Sequence, residues 1–105
     1  MFIAPGEAPL EVTARNASAK SILVQWEYVR KTQRNGIILG YKVTYKKNQV
    51  SQTFDVTDGE AMEVEIKGLD IFSEYSIKIS AYNSVGEGPQ SIAVQAMTDE
   101  SSKGT

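Results

Sequence analysis

The feature that most constrains this chain is a set of short segments in which apolar and polar residues alternate with a period of two. Such alternation places successive side chains on opposite faces of a β-strand. The segments are also rich in β-branched and aromatic residues, which favour strands. The pattern predicts strands around Leu10–Ala14, Ile22–Trp26, Tyr41–Tyr45, Thr53–Val56, Met62–Ile66, Tyr75–Ala81 and Ile92–Ala96.

The segments between the predicted strands contain the Gly, Asn, Asp and Ser residues that favour turns. Short strands with one apolar face each must pack as two sheets or close into a barrel, because an open sheet would leave that face in water. A length of 105 residues suits one domain and favours the sandwich. The predicted turns are Asn16–Lys20, Arg34–Gly36, Lys47–Ser51, Thr57–Gly59 and Asn83–Pro89.

The composition excludes several kinds of chemistry. The sequence has no histidine, so it lacks the usual general base at neutral pH and the commonest metal ligand. It has no cysteine, which excludes disulfides and thiolate metal sites. A net charge of −2 gives no overall attraction to nucleic acid or anionic lipid, and no apolar run is long enough to span a bilayer. We therefore expect no enzyme, no cofactor, no nucleic-acid partner and no direct membrane contact.

Several segments, in order along the chain, resemble fibronectin type III domains. Pro9–Val12 is similar to the first strand of that family, and Ser21–Trp26 to the second strand, which ends in the core tryptophan. Asn35–Tyr45 resembles the third strand and its entry, and Tyr75–Asn83 resembles strand F. Ser84–Pro89 is similar to the F–G loop of cell-surface members.

The resemblance spans residues 9–98 and implies an all-β, immunoglobulin-like sandwich of seven strands. In that family strands A, B and E form one sheet, and strands C, C′, F and G form the other. We interpret residues 1–8 as an N-terminal linker and residues 99–105 as a polar C-terminal linker.

Four side chains are predicted to anchor the fold. Trp26 shares its strand face with Ile22, which predicts a core position rather than a ligand platform. Tyr41 has the parity of a core residue on the third strand. The resemblance further implies that Tyr75 is the tyrosine corner, with its hydroxyl bonded to the backbone near Leu69, rather than a catalytic phenol.

Two groups of polar residues are candidate partner contacts. The loop after Trp26 carries Arg30, Lys31, Arg34 and Asn35, and the outward positions of strands C and F carry Lys42, Lys46 and Lys78. The outward positions of strands A, B and E include Glu11, Glu27, Glu63 and Glu65, relieved by Lys67. The two sheet faces are therefore predicted to differ in charge sign. The alternative is that these charges only solvate the surface.

One candidate modification site lies near the first predicted turn. Asn16-Ala17-Ser18 is an acceptor triplet for N-glycosylation. Its predicted position in the turn between strands A and B places Asn16 at the surface.

The sequence favours a non-catalytic module that binds proteins or spaces neighbouring domains in a cell-adhesion or receptor ectodomain. The alternative is a structural spacer in an intracellular muscle-type protein or a bacterial carbohydrate-active enzyme. The first residues lack the pattern of a signal peptide, so the chain is either intracellular or an excised part of a longer protein. We favour the excised part, and with it an extracellular location and a protein partner or neighbouring domains of the same chain.

Overall fold

Two antiparallel sheets form the structure, a computed structural model that describes residues 3–100. The strands are β1 (Leu10–Ser18), β2 (Ser21–Glu27), β3 (Gly40–Lys47), β4 (Val50–Val56), β5 (Glu63–Ile66), β6 (Glu74–Tyr82) and β7 (Val94–Met97), with a short helix α1 (Lys31–Arg34). One sheet has the order β1-β2-β5 and the other β4-β3-β6-β7. These orders correspond to A-B-E and C′-C-F-G, so the predicted sandwich is confirmed.

The strand ends differ from the predicted ones in two hairpins. Asn16 and Ser18, predicted to lie in a turn, continue β1 by pairing with Ile22 and Ser21. In the next hairpin β4 begins at Val50, inside the predicted turn. Both turns shrink to two residues, because backbone pairing continues past the last apolar side chain.

Three other local features depart from the sequence pattern. Ile92 was predicted to face the core of the last strand, but it is 84% exposed and precedes β7. Ser91 pairs with Ile79 at that point, through both its amide and its hydroxyl, and this leaves the next residue outside the ladder. Met62 is exposed just before β5. Helix α1 was not predicted, since four residues are too few to show a helical period.

The core lies between the two sheets and is centred on two aromatic rings. Trp26 from β2 is 2% exposed and Tyr41 from β3 is 1% exposed. Their ring centroids lie 5.1 Å apart at an interplanar angle of 54°, a tilted arrangement that aromatic pairs favour. Aliphatic side chains from both sheets surround this pair: Ile22, Val24, Val43, Ile66, Ile77 and Ile79.

The loop between β5 and β6 is tied down by Tyr75. The buried ring carries a hydroxyl that accepts a hydrogen bond from the backbone amide of Asp70 at 2.9 Å. The neighbouring Leu69 is buried, and its amide donates to the carbonyl of Lys20 at 2.9 Å. This pair of bonds joins the loop to both sheets.

We expect Tyr75→Phe to lower the free energy of unfolding by about 1–2 kcal/mol, because a partly buried amide loses its acceptor. Urea denaturation followed by Trp26 fluorescence measures the change. Tyr45→Phe is the matched control, since the hydroxyl of Tyr45 bonds Gln52 on the exposed surface at 3.3 Å. Equal losses in the two variants would contradict the assigned role.

Candidate functional site

Arg30, predicted to contact a partner, forms an ion pair with Glu7. Its Nε and Nη2 atoms donate to the carboxylate at 2.6–3.1 Å, and its backbone amide donates to the same group at 3.0 Å. The hydrogen bonds from the Arg30 side chain, followed by that from its amide, lower the pKa of Glu7. The same pair raises the pKa of Arg30.

Arg34 is also engaged within the loop. Its Nε donates to the carbonyl of Val29 at 2.8 Å, and its guanidinium carbon lies 5.7 Å from the centre of the Tyr28 ring. Such stacking holds an arginine in place without neutralising its charge. Lys31 is exposed on α1. The loop therefore offers a partner fewer unengaged groups than its sequence suggests.

Asn83 holds the N-terminal segment against this loop. Its side-chain nitrogen lies 2.9–3.2 Å from the carbonyl oxygens of Ile3, Arg34 and Asn35. The side chain of Asn35, also predicted to be a partner contact, donates to the carbonyl of Ala4 at 2.9 Å. Residues 3–8 thus pack on the domain, and their role as a linker to another domain stays a prediction.

We expect acid to release the N-terminal segment. The folded-state pKa of Glu7 lies below its ordinary value, so the ion pair contributes above the unfolded pKa and is lost as the pH falls through the folded pKa. The amide of Gly6, which donates to the carbonyl of Gln33, reports this change in proton–nitrogen NMR spectra.

Glu7→Gln is the control for this titration. The variant should show a Gly6 amide signal that does not respond to pH below about 5, because the titrating carboxyl is gone. An unchanged acid response in Glu7→Gln would show that another group controls the segment.

The predicted lysines form one row on the outer face of the four-stranded sheet. Lys42 and Lys46 point outward from β3, and Lys78 on β6 pairs with Thr44 between them. Lys42 is half-buried, with its amine 5.5 Å from the centre of the Tyr82 ring. Lys46 and Lys78 are exposed and present their charges to solvent.

Carboxylates border this lysine row. Asp55 pairs with Lys42 across the β3–β4 ladder and accepts a hydrogen bond from the Tyr82 hydroxyl at 2.8 Å. That bond raises the pKa of Tyr82. Glu74 stands at the start of β6, and Glu87 accepts a bond from Ser80. The face is therefore positive in the middle and mixed at its edges.

The opposite sheet carries the predicted glutamates. Glu63 and Glu65 are exposed on β5, and Gln25 donates to Glu63 at 3.1 Å. Arg15, exposed on the neighbouring β1, offsets part of this negative charge. Glu63 and Lys42 lie on different sheets, as predicted, but the contrast in charge is smaller than the sequence list implied.

Asn16 lies on an exposed strand rather than in a turn. It belongs to β1 and pairs with Ile22, and its side-chain nitrogen donates to the carboxylate of Asp99. The backbone of Asp99 bonds Ser18 and Phe72, so this end of the chain is fixed beside the β1–β2 hairpin.

Within residues 3–100, no three His, Cys, Asp or Glu side chains are grouped to hold a metal ion. No helix in this range is long and apolar enough to cross a membrane.

The contacts made by the N-terminal segment were missed from the sequence. Glu7 and Arg30 are 23 residues apart, and Asn83 is 80 residues from Ile3. Such pairs have no local signature. The extended strand F pattern ending at Asn83 was the available signal, but it gave no partner for the side chain.

The two sheets, their strand order and the tyrosine corner define an immunoglobulin-like β-sandwich. The fibronectin type III domain model matches residues 7–97, and the chain belongs to that family.

Relatives among known proteins are large cell-surface proteins by name. The chain is 31% identical to mouse cell adhesion molecule DSCAML1 over 92% of its own length and 5% of the relative. It is 35% identical to mouse neogenin, over 92% of the chain and 7% of neogenin, and 35% identical to rat contactin-2, over 90% of the chain and 9% of contactin-2. The chain thus spans less than a tenth of each of these relatives.

Solved structures give the same result. The fibronectin type III domain of human contactin 1 superimposes with a TM-score of 0.82 at 30% identity, covering 95% of this chain and 83% of that one. A three-domain piece of chicken contactin 1, FN1-FN3, gives a TM-score of 0.80 at 27% identity. It covers 91% of this chain and 33% of that one, so in contactin 1 such a domain stands among others of its kind.

Proposed function

We propose that this domain is a non-catalytic module of the extracellular part of a larger cell-adhesion or receptor protein. It contributes a protein-binding surface or sets the spacing of its neighbours. Fibronectin type III domains of adhesion proteins are generally non-catalytic, and the relatives support the same role here. The absence of histidine and cysteine from the sequence agrees with this proposal.

The observation that carries the proposal is the path of the chain through the sandwich. Residues 3–8 enter at the pole formed by the β2–β3 and β6–β7 loops, where Asn83 holds them. The chain leaves at the other end of the strands, where Asp99 bonds Ser18 and Phe72. A module entered and left at opposite poles transmits position from one neighbour to the next, and this favours spacing as one of its roles.

The lysine row is the surface we propose for protein recognition. Lys46 and Lys78 are exposed, whereas Arg30 and Arg34 have partners within the chain. A positive strip on a flat sheet face attracts an acidic protein surface and raises its rate of association, in a salt-dependent way.

Reversing these charges tests the recognition role. We expect the double variant Lys46→Glu, Lys78→Glu to capture on the order of tenfold less cell-surface protein than the native domain, because both charges lie on the proposed face. The domain is displayed as a multimer, since single modules bind weakly, and tested at low and physiological salt.

Glu63→Lys, Glu65→Lys is the matched control, since it changes two exposed charges on the opposite sheet. Capture that survives the lysine changes would refute the lysine row as the binding surface. Absence of any capture by the native domain, with Trp26 fluorescence reporting a folded state, would leave spacing as its function.

We also propose that Asn16 carries an N-linked glycan in the secreted parent protein. The side chain is exposed on β1, so the acceptor nitrogen is accessible. Mass spectrometry of the domain secreted from eukaryotic cells should show a glycan that Asn16→Gln removes. A native protein of unmodified mass would refute this proposal.

A further inference from the structure

Strand β4 is the outer edge of the four-stranded sheet. In the part of the chain that the structure describes, residues 3–100, β3 is its sole ladder partner. All seven residues from Val50 to Val56 pair with β3 in one continuous register. An edge of this kind presents a row of free backbone amides and carbonyls that can pair with another strand.

The other edges of the sandwich have features that oppose pairing. β1 has a register shift between Leu10 and Thr13, with Glu11 at a φ of 53°, which disrupts its ladder. β5 and β7 are four residues each, and β5 exposes Glu63 and Glu65. β4 is longer, regular and free of proline and glycine, and it carries a single charge, that of Asp55.

Two apolar side chains lie exposed on β4. Val50 is 63% exposed and Phe54 is 43% exposed, and both have the same strand parity. Neither meets enough of this domain to be covered. A strand added beside β4 would remove part of this apolar surface from water, in addition to satisfying the backbone groups.

We propose that β4 pairs antiparallel with β4 of a second copy of this chain, about a twofold axis at Thr53. The pairing joins two four-stranded sheets into one continuous sheet. It brings Thr53 opposite Thr53 of the second copy, and Gln52 opposite Phe54 of that copy. Ser51 then lies opposite Asp55 and Val50 opposite Val56, so every residue of the strand is paired.

Charge complementarity favours a second copy as the occupant and favours this register. Asp55 of one copy faces Ser51 of the other, and Ser51 is paired on its inner side with Lys46. Two strand spacings, about 10 Å between Cα atoms, separate Asp55 from that lysine, a span its long side chain can bridge. The twofold axis makes this contact twice. A shift that centred the axis on Asp55 would instead place two carboxylates face to face, which is destabilising.

The interface is small, so the association of single domains is weak. A dissociation constant on the order of 100 μM or higher is expected of an interface at the low end of the size range. Several modules on one chain, or many chains on one surface, would strengthen such an interaction through effective concentration. This inference does not depend on the lysine row, because it rests on the sheet edge.

Sedimentation equilibrium of the 105-residue chain over a range of concentrations tests the dimer. The native chain should approach twice its monomer mass at the highest concentrations. Thr53→Lys and Thr53→Glu should each lower the association constant at least about tenfold, because residue 53 meets its own copy and like charges then oppose. An equal mixture of the two variants should associate again, since lysine then faces glutamate.

Thr13→Lys is the control, an exposed strand residue on the other sheet. It should leave the association constant unchanged, and far-ultraviolet circular dichroism should show that all variants keep the fold. A native chain that stays monomeric up to about 1 mM, a dimer insensitive to Thr53→Lys, or a mixture that fails to associate would each overturn the proposal. Equal weakening by Thr13→Lys would also overturn it, because the contact would then lie elsewhere.

Discussion

The contact between Trp26 and Tyr41 is the interaction on which the rest of the structure depends. Trp26 belongs to the three-stranded sheet and Tyr41 to the four-stranded one, so their 5.1 Å contact joins the two layers. Replacing a buried tryptophan by alanine costs about 3–5 kcal/mol in typical cores. A single hydrogen bond contributes about 1 kcal/mol. The packing between the sheets therefore outweighs any one loop contact, and loops can vary while the sandwich persists.

The alternation of side chains predicted the inner strands well because it follows directly from burial. β2, β3 and β6 each bury one face completely, and their apolar residues recur at every second position. The rule failed where burial does not decide the conformation. Ile92 is apolar and exposed, and Asn16 is polar and continues a strand, since backbone pairing needs no apolar side chain.

The candidate site was predicted in part, and the difference has a physical cause. Strand parity alone places Lys42 and Lys46 on the outer face of one sheet, and parity can be read from the sequence. The partners of Arg30 and Arg34 cannot be read in this way, because they depend on how a loop folds over a distant segment. Charge counting therefore identified a basic loop, whereas the structure uses both arginines to hold that loop and the N-terminal segment together.

Strand β4 connects these two lessons. Six of its seven residues are exposed, so only Thr53–Val56 showed a strand pattern and the first half of the strand escaped prediction. The same lack of burial leaves an extended backbone that is fixed on one side by β3 and open on the other. A second strand could pair there without moving Trp26, Tyr41 or any other core side chain, because β4 contributes little beyond Val56 to the core. The domain thus separates its two tasks: the stability of the fold resides between the sheets, and the capacity for association resides at an edge the core does not need.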